Sequence, residues 1–356
     1  MTPKLLGVII YAEEKFLIIP CFIGVDPVSY FGLNGNYYYL MKNKQLGDCD
    51  MVKKYWKIGL LVIVLLGVFG LMVTNWSPKS KSSQKPIRVV TSLNFYGEVA
   101  KAVAGDHGQV TSFINNEAVD PHDFQPSTKE AQKVSKANVV IVNGLGYDNW
   151  LSKLTKATDT SQKVINVGTQ VADKKDGDNE HVWYQPATMD KLATQLAQQF
   201  SKLDPKHKDD YYKNAKAYQA KLTKLDEVIQ TAKNNVGDQK LVDVSEPVFD
   251  YALTNLGYEV NNKHFEKAVE DDNDPSPQDI QQIRDDITQH KIAFFVNNSQ
   301  ESDKTVKNLV KLAKENNVPV LNVTETEPNG KSYVEWMTDQ YEQLIKIQGS
   351  ESSSHS

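Results

Sequence analysis

Cysteine is all but missing from this chain of 356 residues: Cys21 and Cys49 are the whole complement, and both precede residue 51. The body that follows can therefore hold no disulfide, no thiolate metal site and no cysteine nucleophile. Basic residues are not in excess either. Forty Lys and Arg face 45 Asp and Glu, giving a net charge of −5 and a pI near 5.9, which disfavours a nucleic-acid partner. There is no strand–GxxxxGK[ST]–helix phosphate loop and no HExxH pairing.

One long apolar run is present. Met51-Val52-Lys53-Lys54-Tyr55-Trp56-Lys57 precedes the uncharged stretch Ile58 to Val73. A basic flank followed by a continuous apolar segment reads as an export signal with its lysines on the cytoplasmic side. Extended through Trp76, the run just reaches the 17–25 residues that a bilayer span requires. Residues 51–76 are thus expected to be a signal peptide or a membrane anchor, with 77–86, rich in Ser, Lys and Pro, as a flexible linker. Residues 1–50 show no clean helical period, and a signal that starts afresh at Met51 suggests that they come from an upstream start assignment. N-terminal sequencing that found initiation at Met1 would refute this.

From Ile87 the pattern is α/β. Short β-branched runs (Ile87–Ser92, Gln109–Ile114, Asn138–Asn143, Val164–Val167) alternate with helical spacings (Leu93–Val103, Ser127–Ala137, from Trp150, Thr188–Leu203). Such alternation implies βαβ units and a parallel sheet. Pro205 then opens a long helix to about Asn234. Tyr211, Ala215, Tyr218, Leu222, Leu225 and Ile229 recur along it at steps of three and four. After it strands and helices begin again: Lys240–Val244, Val248–Leu256, Ser276–His290, Ile292–Val296, Asp303–Asn316, Pro319–Val323 and Tyr333–Ile347. The expected fold is α/β: two lobes, each with a mostly parallel sheet flanked by helices, joined by one long rigid helix. The expected bounds are 87–204 for the first lobe, 205–235 for the connecting helix, 236–348 for the second lobe and 349–356 for a disordered tail.

Open α/β sheets place ligands beyond the carboxyl ends of their strands. Four side chains fit that rule. His122 lies in Asp120-Pro121-His122-Asp123-Phe124-Gln125-Pro126-Ser127, where two prolines stiffen the turn. His181 stands just ahead of the Thr188 helix, Glu246 follows the strand ending at Val244, and Glu325 follows the strand ending at Val323. Each has an ordinary explanation: a turn histidine, a packing histidine, a carboxylate at the positive end of a helix, and a solvated acidic loop with Glu327 beside it. As a set drawn from both lobes they point instead to one divalent cation in the cleft. Two imidazoles and two carboxylates make a site somewhat harder than three imidazoles, which tips the choice slightly toward Mn²⁺ over Zn²⁺. His107, His207, His264, His290 and His355 have no comparable setting; His207 and His290 sit on polar helical stretches and are expected to be solvated.

From about Ile87 to Ile347 the chain resembles the manganese/zinc/iron-type solute-binding proteins of bacterial ABC importers, a family of metal-binding lipoproteins and adhesins. The resemblance rests on Asp120–Ser127, on Asn143-Gly144-Leu145-Gly146-Tyr147-Asp148-Asn149-Trp150, on His181-Val182-Trp183, on Asp274-Pro275-Ser276-Pro277 and on the long helix after Pro205. It implies two lobes that clamp one Mn²⁺ or Zn²⁺ as cargo through His122, His181, Glu246 and Glu325. It further implies a monomer, no catalysis, and a membrane permease with its ATPase as partners. The protein would work outside the cytoplasm, tethered to the outer face of the membrane or secreted.

Two departures stand out. The loop Asp173–Glu180 is acidic and carries no histidine, and Val73-Thr74-Asn75-Trp76 has no cysteine where lipoproteins of the family carry one. A metal-dependent hydrolase and a surface adhesin are the alternative readings.

Overall fold

The computed structural model describes residues 30–33, 36–39, 86–158, 161–300 and 303–354. The expected signal or anchor at 51–76 and nearly all of the linker lie outside these residues. Within 1–82, strands β1 (Tyr30–Leu33) and β2 (Asn36–Tyr39) form an antiparallel pair. No helix among the described residues is long and apolar enough to cross a membrane.

Beyond residue 83 the chain folds as one compact unit built from two four-stranded sheets. The first sheet has the order β4–β3–β5–β6, with β3 Ile87–Leu93, β4 Gly108–Ile114, β5 Val139–Val142 and β6 Lys163–Asn166, all parallel. The second has the order β10–β9–β7–β8, with β7 Leu241–Val244, β8 Glu259–Val260, β9 Phe295–Asn298 and β10 Val320–Val323, again all parallel. Fully buried strands such as Val139-Val140-Ile141-Val142 are apolar on both faces because helices cover both sides of the sheet.

The connecting helix, Lys208–Asn234, follows a short 3-10 turn at Pro205–His207. At 1.5 Å per residue it is about 40 Å long, enough to lie along both lobes. Its expected stripe is the one that packs: Tyr211, Ala215, Tyr218, Leu222, Leu225 and Ile229 are all buried. They belong to a single apolar core that runs from Phe95 and Trp183 in the first lobe to Val244, Leu321 and Trp336 in the second.

The last helix continues to Ser354, into the stretch expected to be a tail. Strand β9 begins at Phe295, later than the apolar run Ile292–Phe294 suggests. That run is buried at the approach to the sheet, where Ala293 N donates to Leu241 O. Helix Lys263–Glu270 has no counterpart among the expected elements.

Candidate metal centre

A cleft of about 640 Å³ opens between the lobes at the carboxyl ends of the strands, walled by His122, Glu246, Glu270 and Glu325 among others. His122 reaches it from the Asp120–Ser127 loop. The Asp120 carboxylate accepts from His122 N at 2.8 Å, Pro121 O accepts from Trp150 Nε1 at 3.0 Å, and a capping box between Ser127 and Glu130 begins the following helix. The backbone is thus held at both ends of the loop, and the imidazole leans on Tyr147 with ring centroids 4.7 Å apart.

His181 is completely buried. Its Nδ1 lies 2.8 Å from Asn179 Oδ1, which also accepts from His181 N at 2.9 Å. Asn179 Nδ2 meanwhile donates to Pro247 O at 2.6 Å, so the amide has one orientation and its oxygen can only accept. Nδ1 therefore carries the proton in the neutral ring, and the Nε2 lone pair, which has no hydrogen-bond partner, faces Glu270 and Glu325 on the cleft wall. A histidine oriented through its far nitrogen in this way is suited to bind a metal.

The turn after β5 supplies a further support. Asp148 accepts from the amides of Asn143 (2.6 Å) and Gly144 (2.9 Å), and Gly144 takes φ +78 with Asn166 packed where a side chain would stand. This turn sets Tyr147 so that its hydroxyl donates to Glu325 Oε1 at 2.7 Å.

The donor atoms then converge. His122 Nε2 lies 3.9 Å from Glu270 Oε1, 4.0 Å from Glu325 Oε1 and 3.9 Å from Glu180 Oε1. His181 Nε2 lies 3.9 Å from both Glu270 Oε1 and Glu325 Oε1. These separations are too long for hydrogen bonds. Each of the two imidazole nitrogens thus faces the same two carboxylate oxygens, and a contraction of the cleft would bring these donors toward the roughly 2.0–2.2 Å of zinc–nitrogen and zinc–oxygen bonds.

Three of the four expected side chains, His122, His181 and Glu325, meet here. Glu246 lines the same cleft and its Oε2 accepts from Asn298 Nδ2 at 2.7 Å. Glu180 and Glu270 join them without being among the expected ligands. Val269-Glu270-Asp271-Asp272 looks like a solvated acidic run, and only the i, i+4 spacing of Glu266 and Glu270 beside buried Phe265 and Val269 hints at an inward face.

The electrostatics reflect this crowding. Burial disfavours a charged His181, but the carboxylates of Glu270 and Glu325 outweigh it and push the imidazole up to about 9. Burial also opposes ionisation of Glu325, yet His181, Tyr147 and His122 hold that carboxyl below its ordinary value. Glu270 moves the other way. Burial, with the charges of Glu180 and Glu325, raises it to about 8 despite His181.

Of the remaining histidines, His207 departs from expectation. Its side chain is only 15% exposed, its Nδ1 meets Asp204 Oδ2 at 2.6 Å, and its ring stacks on His107 at 3.8 Å. His264 lines a separate, smaller cavity of about 230 Å³, and His355 lies outside the described residues.

The chain is similar to known proteins in sequence and in fold. The sequence profile of the family described as "Zinc-uptake complex component A periplasmic" (ZnuA) matches residues 89–347. The manganese ABC transporter substrate-binding lipoprotein PsaA of Streptococcus pneumoniae is 27% identical over 318 residues, which is 83% of this chain and 99% of that protein. The metal ABC transporter substrate-binding lipoprotein FimA of Streptococcus parasanguinis is 28% identical over 285 residues, 76% of this chain and 88% of its own. Among solved structures, the periplasmic zinc binding protein TroA from Treponema pallidum superposes with a TM-score of 0.62 at 19% identity, covering 74% of this chain and 99% of its own. The Mn-bound periplasmic metal binding protein from Candidatus Liberibacter asiaticus gives 0.61 at 18%, covering 73% and 99%. At these identities the two structures speak for the fold.

Proposed function

The chain belongs to the zinc-uptake complex component A family, whose members are substrate-binding proteins of ABC importers and not enzymes, and from that kinship we infer that it captures one divalent transition-metal ion, Mn²⁺ or Zn²⁺, between its lobes. His122, His181 and Glu325 hold the ion, with Glu246 as the fourth expected ligand on the wall of the cleft. The loaded protein then delivers its cargo, as a monomer at the outer face of the cytoplasmic membrane, to a permease driven by an ATPase.

The observation that carries this reading is the pair of imidazole Nε2 atoms facing carboxylate oxygens at 3.9–4.0 Å across the lobe boundary. His181 Nε2 and Glu270 Oε1 are both buried without a hydrogen-bond partner. Buried polar atoms left this way cost on the order of 1–3 kcal/mol each. A shared cation satisfies both at once. Relatives named for manganese and for metal transport support the choice of cargo. A hydrolase does not accord with the family, and adhesion requires none of these inward-facing donors.

Metal analysis and chelator competition on the purified chain, with His122→Ala and His181→Ala beside it, test the proposal. One equivalent of Mn²⁺ or Zn²⁺ in the parent, lost in either variant, is the expected result. A parent that binds neither ion stoichiometrically refutes it.

A further inference from the structure

The cleft holds more carboxylate than a site of two imidazoles and two acids requires. Glu270 Oε1 stands 3.9 Å from both imidazole nitrogens, as close to each as Glu325 Oε1 is. Its side chain is 8% exposed and this oxygen has no hydrogen-bond partner. We propose, resting on the capture reading above, that Glu270 is itself a metal ligand and that its carboxylate tilts the site toward manganese over zinc.

The local chain argues for a cation at this point. Glu270 is the last residue of helix Lys263–Glu270, at the end where the helix dipole is negative and a carboxylate is disfavoured. Asp271 and Asp272 come directly after it, and Asp272 takes the left-handed φ of +53. The nearby ammonium of Lys267 is engaged by Asp271. Of these three acids Asp271 and Asp272 are exposed, and the side chain of Glu270 alone is buried against the cleft. The helix is pinned by Phe265 and Val269, which are buried, and this packing aims Glu270 across the cleft at the two imidazoles of the first lobe.

The choice of ion rests on coordination chemistry. Zn²⁺ is satisfied by four ligands in a tetrahedron, and a third carboxylate adds little to its binding. Mn²⁺ favours oxygen donors and a larger coordination shell. With Glu325 and Glu270 beside the imidazoles, and Glu180 Oε1 3.9 Å from His122 Nε2, the cleft offers such a shell. The donor atoms of His122, Glu180 and Glu270 all lie within 4.8 Å of one another.

The test uses the full chain and compares Glu270→Gln with Glu246→Gln and His181→Ala, titrated with Mn²⁺ alone and Zn²⁺ alone, with Co²⁺ as a spectroscopic reporter. Glu270→Gln should weaken Mn²⁺ by about 100-fold or more and Zn²⁺ by no more than about tenfold. It should also strengthen the visible Co²⁺ bands as coordination falls toward four. Its metal-free melting temperature should match or exceed the parent's, because a neutral amide replaces a buried acid. Unchanged Mn²⁺ binding in Glu270→Gln while His181→Ala abolishes it overturns this inference and leaves the capture reading intact. Equal losses for both ions overturn the selectivity. Failure of the parent to bind either ion defeats the capture reading itself.

Discussion

The second hydrogen bond of an imidazole decides what the first nitrogen can do, and at His181 that bond goes to Asn179. Removing it leaves the ring free to change tautomer and to rotate. Asn179→Ala should therefore weaken metal binding by roughly 10–100-fold with His181 still in place, as chelator competition would measure. Asp243 makes a different claim, about pH. It is wholly buried in β7, and neither carboxylate oxygen has a hydrogen-bond partner. Burial first, then the charge of Asp286, push it up from 3.8 to about 7. An acid raised on folding holds its proton more tightly in the folded state. Its contribution is complete below pH 3.8 and is lost as pH climbs through about 7. Asp243→Asn should thus gain on the parent across that window, by on the order of 3 kcal/mol at neutral pH in denaturant titrations of the metal-free protein. A gap that does not vary with pH would count against it.

Elements differ in how openly the sequence declares them. The connecting helix is legible in its apolar stripe, and the parallel strands in β-branched runs that helices cover on both faces. His122 and His181 stand out because prolines and aromatics give their loops a character unlike solvated turns. Helix Lys263–Glu270 is hidden because it has only two buried apolar side chains among five charged or imidazole ones, a pattern that surface loops share. What decides its position is the tertiary packing of Phe265 and Val269 against Ile283 and Leu309, and no local spacing records that. Glu270 is hidden with it. One element-scale device is legible and can be tested. Ser127 caps the helix after the His122 loop, with Glu130 closing the box. Ser127→Ala should cost about 1 kcal/mol of stability by thermal or chemical denaturation, with a much smaller effect on metal affinity.

At the scale of the whole molecule the lobes are bound by more than the connecting helix. Tyr184 OH donates to Thr324 O at 2.5 Å, Tyr333 OH to Trp183 O at 2.6 Å and Gln300 Nε2 to Glu117 O at 2.8 Å, each across the lobe boundary. Phe95, Trp183, Tyr184, Phe249 and Trp336 fill the space between, neighbouring rings having centroids 5.1–6.2 Å apart. Prising such a boundary open would expose aromatic surface and break these hydrogen bonds along with others that cross it, such as that of Tyr147 to Glu325. Small-angle scattering curves of the metal-free and metal-loaded protein should accordingly nearly coincide; a marked contraction on loading would refute this.

Asn179 sits on that boundary as well. The amide whose oxygen steadies the His181 ring gives its nitrogen to Pro247 in the opposite lobe, and its own carbonyl receives the Tyr251 hydroxyl. Aim and closure are therefore one mechanical coordinate. A shift of Asn179 against Pro247 at this seam would pass directly to the His181 ring, through the one amide that joins them.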